Sequence, residues 1–226
     1  MNKIRKVAMK KTLLSAIIVF MILALTGCGN DHNNATPTIV TQIFTDQAFD
    51  GDISSLNGVA QGMSINKQSV LAGIDPTNTL EEFRAFLDFP LSGPNGVPIN
   101  AVIVSATLDI VIDNIKSLAS TIPIRIDLVS FQPPILITSD FDPTSQPALA
   151  TTTILISSVN VAVNPHVLVD VTSLMVEAQN RVLPDFQVRI LEDLGPPLPL
   201  PGLIEIDDTT GANRTLLAPL LQVQYF

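Results

Sequence analysis

The stretch Val102-Ile-Val-Ser-Ala-Thr-Leu-Asp-Ile-Val-Ile-Asp113 decides the fold class, because its side chains alternate in polarity. The apolar positions are Val102, Val104, Ala106, Leu108, Ile110 and Ile112, and the polar positions between them are Ser105, Thr107, Asp109 and Asp113. Alternation with a period of two is typical of an antiparallel β-strand that has one buried face and one solvated face. A long strand at the side of a hydrophobic core is therefore predicted here.

Shorter segments of the same kind follow one another along the chain, separated by turn residues. Residues 46–62 are polar and Gly-rich and are predicted to form a loop. One helix is predicted over residues 172–181, with Leu174, Met175 and Ala178 facing the core. Ten short strands and one short helix predict an all-β protein, a jelly-roll-like antiparallel β-sandwich. The predicted strands are residues 38–44, 68–74, 82–89, 102–113, 124–128, 152–157, 166–171, 186–191, 203–206 and 220–225.

The first 27 residues fit the three-part plan of a secretory signal. Basic residues are followed by the apolar run 13–25 and then by Thr26, Gly27 and Cys28. The sequence Leu25-Thr26-Gly27-Cys28 resembles the lipobox of bacterial lipoproteins, in which the signal is cut before the cysteine and the thiol is acylated. The alternative is a membrane-spanning helix. Such a helix needs about 20 apolar residues, and this run is shorter.

These features divide the chain into three parts: a signal peptide (residues 1–27), the lipidated Cys28 with a polar, flexible tether (28–37), and one β-sandwich domain (38–226). Lipidation would anchor the domain to a membrane outside the cytoplasm. Gly29 replaces the aspartate associated with inner-membrane retention, so the outer membrane is favoured in a host that has one. Met9 is an alternative start to Met1.

The mature chain is strongly acidic. All 21 acidic residues follow Cys28, whereas five of the twelve basic residues precede it, which leaves seven basic residues and a net charge of −14. A surface of this sign repels nucleic acid, so nucleic-acid binding is excluded. Because the single cysteine lies at the lipidation site, the domain is expected to have neither a disulfide nor a Cys-based metal site.

Four segments have a distinctive order. They are Arg84-Ala-Phe-Leu-Asp-Phe-Pro-Leu91 (R-x-x-L-x-F-x-L), Ile103-Val-Ser-Ala-Thr-Leu-Asp-Ile110 (I-x-x-A-x-L-x-I), Asp170-Val-Thr172 before the helix, and Pro219-Leu-Leu-Gln-Val-Gln-Tyr225 (P-x-L-x-V-x-Y). In this order they resemble the DNRLRE family of extracellular β-sandwich domains, which is akin to carbohydrate-binding module family 96. The resemblance implies a non-catalytic domain that binds a polysaccharide. The chain departs from the family in having no tryptophan.

The sequence does not contain a recognisable set of catalytic residues. It has two histidines and no Gly-x-Ser-x-Gly motif, which argues against a catalytic zinc site and a serine hydrolase. Asp109, Asp113 and Asp127 alternate with apolar residues, and this pattern predicts solvated carboxylates rather than a catalytic pair. The protein is therefore predicted not to be an enzyme.

The one cofactor that the sequence suggests is calcium. Asp46, Asp50 and Asp52 cluster beside Gly51 in the predicted loop, and calcium takes oxygen ligands from such loops. The spacing does not match an EF-hand, and an ordinary acidic turn is the alternative.

Sugar binding usually relies on aromatic rings that are presented to solvent. Phe49, Phe131 and Phe141 lie in or beside predicted loops and could form such a platform, and packing against the core is the alternative. Arg84 is predicted to form an ion pair with Asp88 within the sheet.

Two functions remain open. The first is a membrane-anchored binding domain for a polysaccharide, and the second is a structural or assembly lipoprotein that binds a protein of the cell envelope or of a surface appendage. An exposed aromatic and acidic groove would favour the first function. A flat apolar patch or an unprotected sheet edge would favour the second.

Overall fold

The computed structural model describes residues 37–77, 80–131, 135–196 and 198–226. The signal peptide, Cys28 and the tether up to residue 36 lie outside the described residues, so their roles stay predictions. Residues Pro37–Phe226 form one compact unit. Among the described residues, no helix has both the length and the apolar character that are needed to cross a membrane.

Antiparallel strands dominate the described part of the domain, and this confirms the all-β, sandwich-like class. All ten predicted strands are present. The twelve strands of the described residues are β1 (Ile39–Phe44), β2 (Gly51–Leu56), β3 (Val59–Ile65), β4 (Ser69–Ile74), β5 (Glu82–Pro90), β6 (Ile103–Ser117), β7 (Thr121–Val129), β8 (Ala150–Ser157), β9 (His166–Asp170), β10 (Asp185–Glu192), β11 (Gly202–Asp207) and β12 (Leu220–Tyr225). The helices are α1 (Ser158–Val163), α2 (Thr172–Asn180), α3 (Arg214–Leu217) and a 3-10 turn at Thr138–Phe141.

The long strand β6 belongs to two sheets. Its first part pairs with β12 and β9, and its last part pairs with β11. The first sheet has the order β1-β12-β6-β9. The second sheet continues from β6 through β11, β4, β5, β10 and β7 to β8, and the β2–β3 hairpin joins it at β5. Both sheets contribute side chains to one core, for example Leu108 and Val223 from the first and Ile124 and Val188 from the second.

The buried face of β6 is confirmed from residue 106 onward. Its members Ala106, Leu108, Ile110 and Ile112 are all buried. Val102 and Val104, which were predicted on the same face, are exposed instead. The pairing with β12 shifts register between Gln224 and Tyr225. A shift of one residue moves the preceding side chains to the other face of a sheet, so simple alternation fails at this bulge.

The prediction of a loop over residues 46–62 is wrong, because this stretch contains β2 and most of β3. The turn between them is Asn57-Gly58, with positive φ angles of 53° and 78°. Asn-Gly is the pair that two-residue hairpin turns of this kind favour. The hairpin pairs with β5 through β2, so β3 lies at an edge and exposes every second residue.

Helix α2 confirms the one helix that the sequence predicts. Leu174, Met175 and Ala178 are buried against the core. The Oδ1 atom of Asp170 accepts a hydrogen bond from the Thr172 N–H at 2.9 Å and so satisfies one backbone donor at the helix start. The shorter helices α1 and α3 were not predicted.

A second apolar cluster covers the outer face of the second sheet. Ile53 and Phe86 from the strands pack against Phe131, Leu136 and Phe141, which belong to the connection between β7 and β8. Strand β10 is consequently buried on both faces. Phe131 and Phe141 therefore take the packing role and do not form an exposed platform.

Candidate functional site

The carboxylates of the predicted calcium site lie before and within β2, but they contact different partners. The Oδ1 atom of Asp50 accepts a hydrogen bond from the Asp88 N–H at 2.7 Å. The Oδ2 atom of Asp52 accepts one from the Leu71 N–H at 3.3 Å. Within the described ranges, no group of three or more His, Cys, Asp or Glu side chains is arranged to hold a metal ion. Calcium binding at Asp46, Asp50 and Asp52 thus stays a prediction.

Asp50 instead meets Asp208, which follows β11. Both side chains are fully buried, and Thr45 Oγ1 donates a hydrogen bond to Asp208 Oδ1 at 3.1 Å. The Oδ2 atom of each carboxyl lacks a hydrogen-bond partner among the described residues. Burial raises the pKa of Asp208 to about 6, and burial together with the charge of Asp208 raises the pKa of Asp50 well above its usual range. Because neither side chain reaches solvent, the pair has no access to a substrate.

A buried ion pair lies beneath the connection between β7 and β8. Arg189 Nη2 is 2.7 Å from Asp127 Oδ2, and Arg189 Nη1 donates to the carbonyl of Gln146 at 2.9 Å. Burial raises the pKa of Asp127, but the hydrogen bonds from Arg125 and Arg189 outweigh it, so that the pKa is lower than usual. The predicted solvated position of Asp127 is therefore wrong, because the covering segment turns this face of the sheet into an interior.

Arg84 does not pair with Asp88 as predicted. Its guanidinium binds Glu82 at 2.7 Å, lies 3.8 Å from the centre of the Phe141 ring and donates to the Phe141 carbonyl. Asp88 Oδ1 accepts a hydrogen bond from Gln187 Nε2 at 2.8 Å. Asp88 is four residues from Arg84, and residues four apart in a strand are separated by about 13 Å. Glu82 is only two residues from Arg84 on the same face, so it lies about half as far away.

The outer face of the first sheet is polar and open to solvent. Gln42 Nε2 donates to Gln222 Oε1 at 3.2 Å across β1 and β12. His166 Nδ1 lies 3.0 Å from Asp109 Oδ2 across β9 and β6. The most exposed aromatic ring of the described chain is that of Phe226, at 47 %. The described residues therefore do not provide the exposed aromatic groove that typical sugar binding requires.

A cleft of about 600 Å³ lies beside the end of β12, with Leu91, Val97 and Tyr225 among its lining residues. Its lining also contains Gln179, whose Nε2 already donates to the carbonyl of Pro98 at 2.9 Å. Few polar groups are left to bind sugar hydroxyls, so the cleft is better suited to an apolar group than to a polysaccharide.

Strand β8 forms an open edge of the second sheet. It pairs with β7 along its whole length and with no other strand of the described chain. Thr151, Thr153 and Leu155 are exposed on it. Proteins usually protect such an edge with Lys, Pro or a bulge, because its free N–H and C=O groups can pair with another chain. The segment ATTTILIS of β8 has no charged residue and no proline.

The absence of charge extends well beyond β8. Residues 143–169, which include β8, α1 and most of β9, contain no Asp, Glu, Lys or Arg. Leu155, Asn160 and His166 line one small hollow of about 170 Å³, so the three elements adjoin at the surface. We call the β8 edge together with the exposed Leu155, Val159 and Val163 the uncharged face; these three side chains are 71, 67 and 85 % exposed.

Part of the uncharged face could be predicted from the amino-acid sequence. The run without charged residues is visible in the printed sequence, but the edge position of β8 depends on the sheet order, which alternation does not reveal. Neither the models of known protein families nor the curated proteins include a match to the chain. The likeness to DNRLRE domains therefore stays a prediction.

Proposed function

We propose that the protein is a lipid-anchored, extracytoplasmic, non-catalytic domain that assembles with protein of the cell envelope or of a surface appendage. The uncharged face carries this proposal. It combines an open, unprotected strand edge with three exposed aliphatic side chains, on a mature chain whose net charge is −14.

Single exposed aliphatic residues are normal on protein surfaces and need no explanation. Here they accompany an edge strand whose main-chain groups are free on one side. An extended segment of a partner can add to such an edge, with main-chain hydrogen bonds for affinity and alternate side chains for specificity. The aliphatic residues would be covered by the same partner, which removes apolar surface from water.

The anchor supports an assembly role because it would hold many copies of the domain at one membrane surface. The lipobox-like sequence ending at Cys28 and the small polar residues that follow are the basis for this part of the proposal. A tethered domain meets its neighbours at a high effective concentration, so that a modest interface is sufficient for assembly.

A second candidate function is polysaccharide binding on the polar outer face of the first sheet. Gln42, Gln222 and the Asp109–His166 pair offer hydrogen-bonding groups there. A glycan array with the protein, with and without calcium, tests this function. Binding that is lost in Gln222→Ala would favour it over assembly.

Site-specific photo-crosslinking in the native host tests the assembly function. The full-length chain carries a photo-reactive phenylalanine analogue either at Leu155 on the uncharged face or at Gln222 on the first sheet, both of which are exposed. We expect a protein adduct from position 155 and none from position 222. The absence of an adduct at 155, or equal adducts at both positions, would contradict the proposal.

A further inference from the structure

The charge distribution limits which partners the uncharged face can bind. Two copies of a chain with a net charge of −14 repel each other wherever their acidic surfaces approach. Residues 143–169 lack charged side chains and therefore allow close approach without that repulsion. On the neighbouring strand β7, Asp127 is buried and is paired with both Arg125 and Arg189, so it adds no free negative charge to this edge. Arg125 is opposite Thr153 and is 34 % exposed; because it shares Asp127 with Arg189, the charge beside this edge is partly positive and not acidic.

The sequence of β8 is also compatible with itself in an antiparallel pair. A two-fold axis perpendicular to the sheet keeps the buried faces of both copies on one side, so residues of the same face oppose each other. With the axis at Thr153, that residue opposes its own copy and Thr151 opposes Leu155. On the inner face, Thr152 opposes Ile154. These pairs contain no like charges, and β-branched residues favour such cross-strand packing.

We infer that the occupant of the uncharged face is a second copy of this chain, joined by antiparallel pairing of two β8 strands centred on Thr153. This inference rests on the proposed assembly function and names its partner. The joined sheets form one continuous sheet across the two copies. The pairing satisfies the free edge of β8 in each copy and shields the half-buried Ile154 from water.

Disulfide cross-linking of the full-length chain in membranes tests the pairing. The natural chain has one cysteine, Cys28, at the predicted lipidation site. Opposed residues of an antiparallel pair have Cα atoms about 4.5–5.5 Å apart, which lies within the reach of a disulfide. Thr153→Cys should therefore give a covalent dimer on mild oxidation. Gln222→Cys, on the exposed face of the first sheet, should not.

The double variant Thr151→Cys, Leu155→Cys checks the register. These two positions lie about 13 Å apart along one strand, too far for a bond within one chain. They oppose each other between two copies, so this variant should also dimerise covalently. No dimer from either β8 variant, or equal dimer from Gln222→Cys, would overturn the inference.

The photo-crosslinked adduct at Leu155 separates the inference from the proposed function. An adduct that contains only this chain supports both. An adduct with a different protein, together with no Thr153→Cys dimer, overturns the inference and leaves the assembly function standing. The absence of any adduct overturns both. Thr153→Lys places two like charges at the axis and should abolish the adduct that forms from Leu155 between two copies of this chain. Gln222→Lys makes the same change in charge away from the axis and should keep that adduct.

Discussion

Replacing Glu192 with glutamine should stabilise the domain at neutral and alkaline pH. Glu192 ends β10 and is 2 % exposed. Its Oε2 atom accepts a hydrogen bond from the Gly202 N–H at 3.2 Å, and the backbone N–H of Ile74 also favours the charged carboxylate. Burial raises the pKa of this carboxyl to about 7.

The sign and the size of the effect follow from that pKa. The unfolded chain loses the proton near pH 4.5, whereas the folded protein keeps it up to about pH 7. The contribution of Glu192 to stability is therefore fully present below pH 4.5 and is lost as the pH rises through about 7. At about 1.4 kcal/mol per pKa unit, the loss is at most about 3 kcal/mol. Glutamine cannot ionise, so Glu192→Gln avoids this loss.

Urea unfolding of residues 37–226 at about pH 4 and about pH 8 measures the effect. The free energy of unfolding of Glu192→Gln, relative to the natural protein, should rise by up to about 3 kcal/mol between the two pH values. Any change caused by the different hydrogen bonding of the amide is the same at both pH values and cancels in this comparison. Glu177→Gln is the matched control; Glu177 lies on the surface of α2 and binds Arg181 at 2.6 Å. It should cost only about 0.3–0.5 kcal/mol. A stability difference for Glu192→Gln that does not depend on pH would refute the reasoning.

Three further predictions concern stability. Asp127→Asn leaves the buried charge of Arg189 without its counter-ion and should cost about 3–5 kcal/mol in urea unfolding, so a loss below about 1 kcal/mol would speak against a buried pair. Phe86→Ala removes a fully buried ring from the second apolar cluster and should cost about 3–5 kcal/mol; a melting temperature equal to that of the natural protein would show that the cluster is not packed as described. Burial raises the pKa values of Asp52 and Asp88 to about 6, so these carboxyls lower stability as the pH rises from about 4 through 6. Unfolding followed by circular dichroism should show greater stability at about pH 5 than at about pH 8, and the opposite order would contradict this account.

The strands were predictable because most of them have one buried face, which produces alternation in the sequence. The β2–β3 hairpin was missed because no residue of β3 is fully buried, and its segment VAQGMSI has few of the residues that strands favour. The turn pair Asn57-Gly58 was the signal that could have revealed it.

The second apolar layer could not be predicted from alternation. Phe86, Asp127 and Arg189 occupy positions on faces that alternation assigns to solvent, and only the packing of the connection between β7 and β8 buries them. Phe141, which contacts Arg84, and Asp208, which meets Asp50, likewise come from distant parts of the chain. Long-range contacts of this kind depend on the arrangement of the sheets, which the alternation pattern of a single sequence does not reveal.

The most direct test of the uncharged face is hydrogen–deuterium exchange of the full-length protein in its membrane, compared with the same protein dispersed as single chains in detergent. The assembly account predicts that amides of β8 exchange more slowly in the membrane and that Thr153→Lys removes this protection. The open edge strand β3 serves as the internal control and should exchange equally in both states. Equal exchange of β8 in the membrane and in detergent would contradict the account.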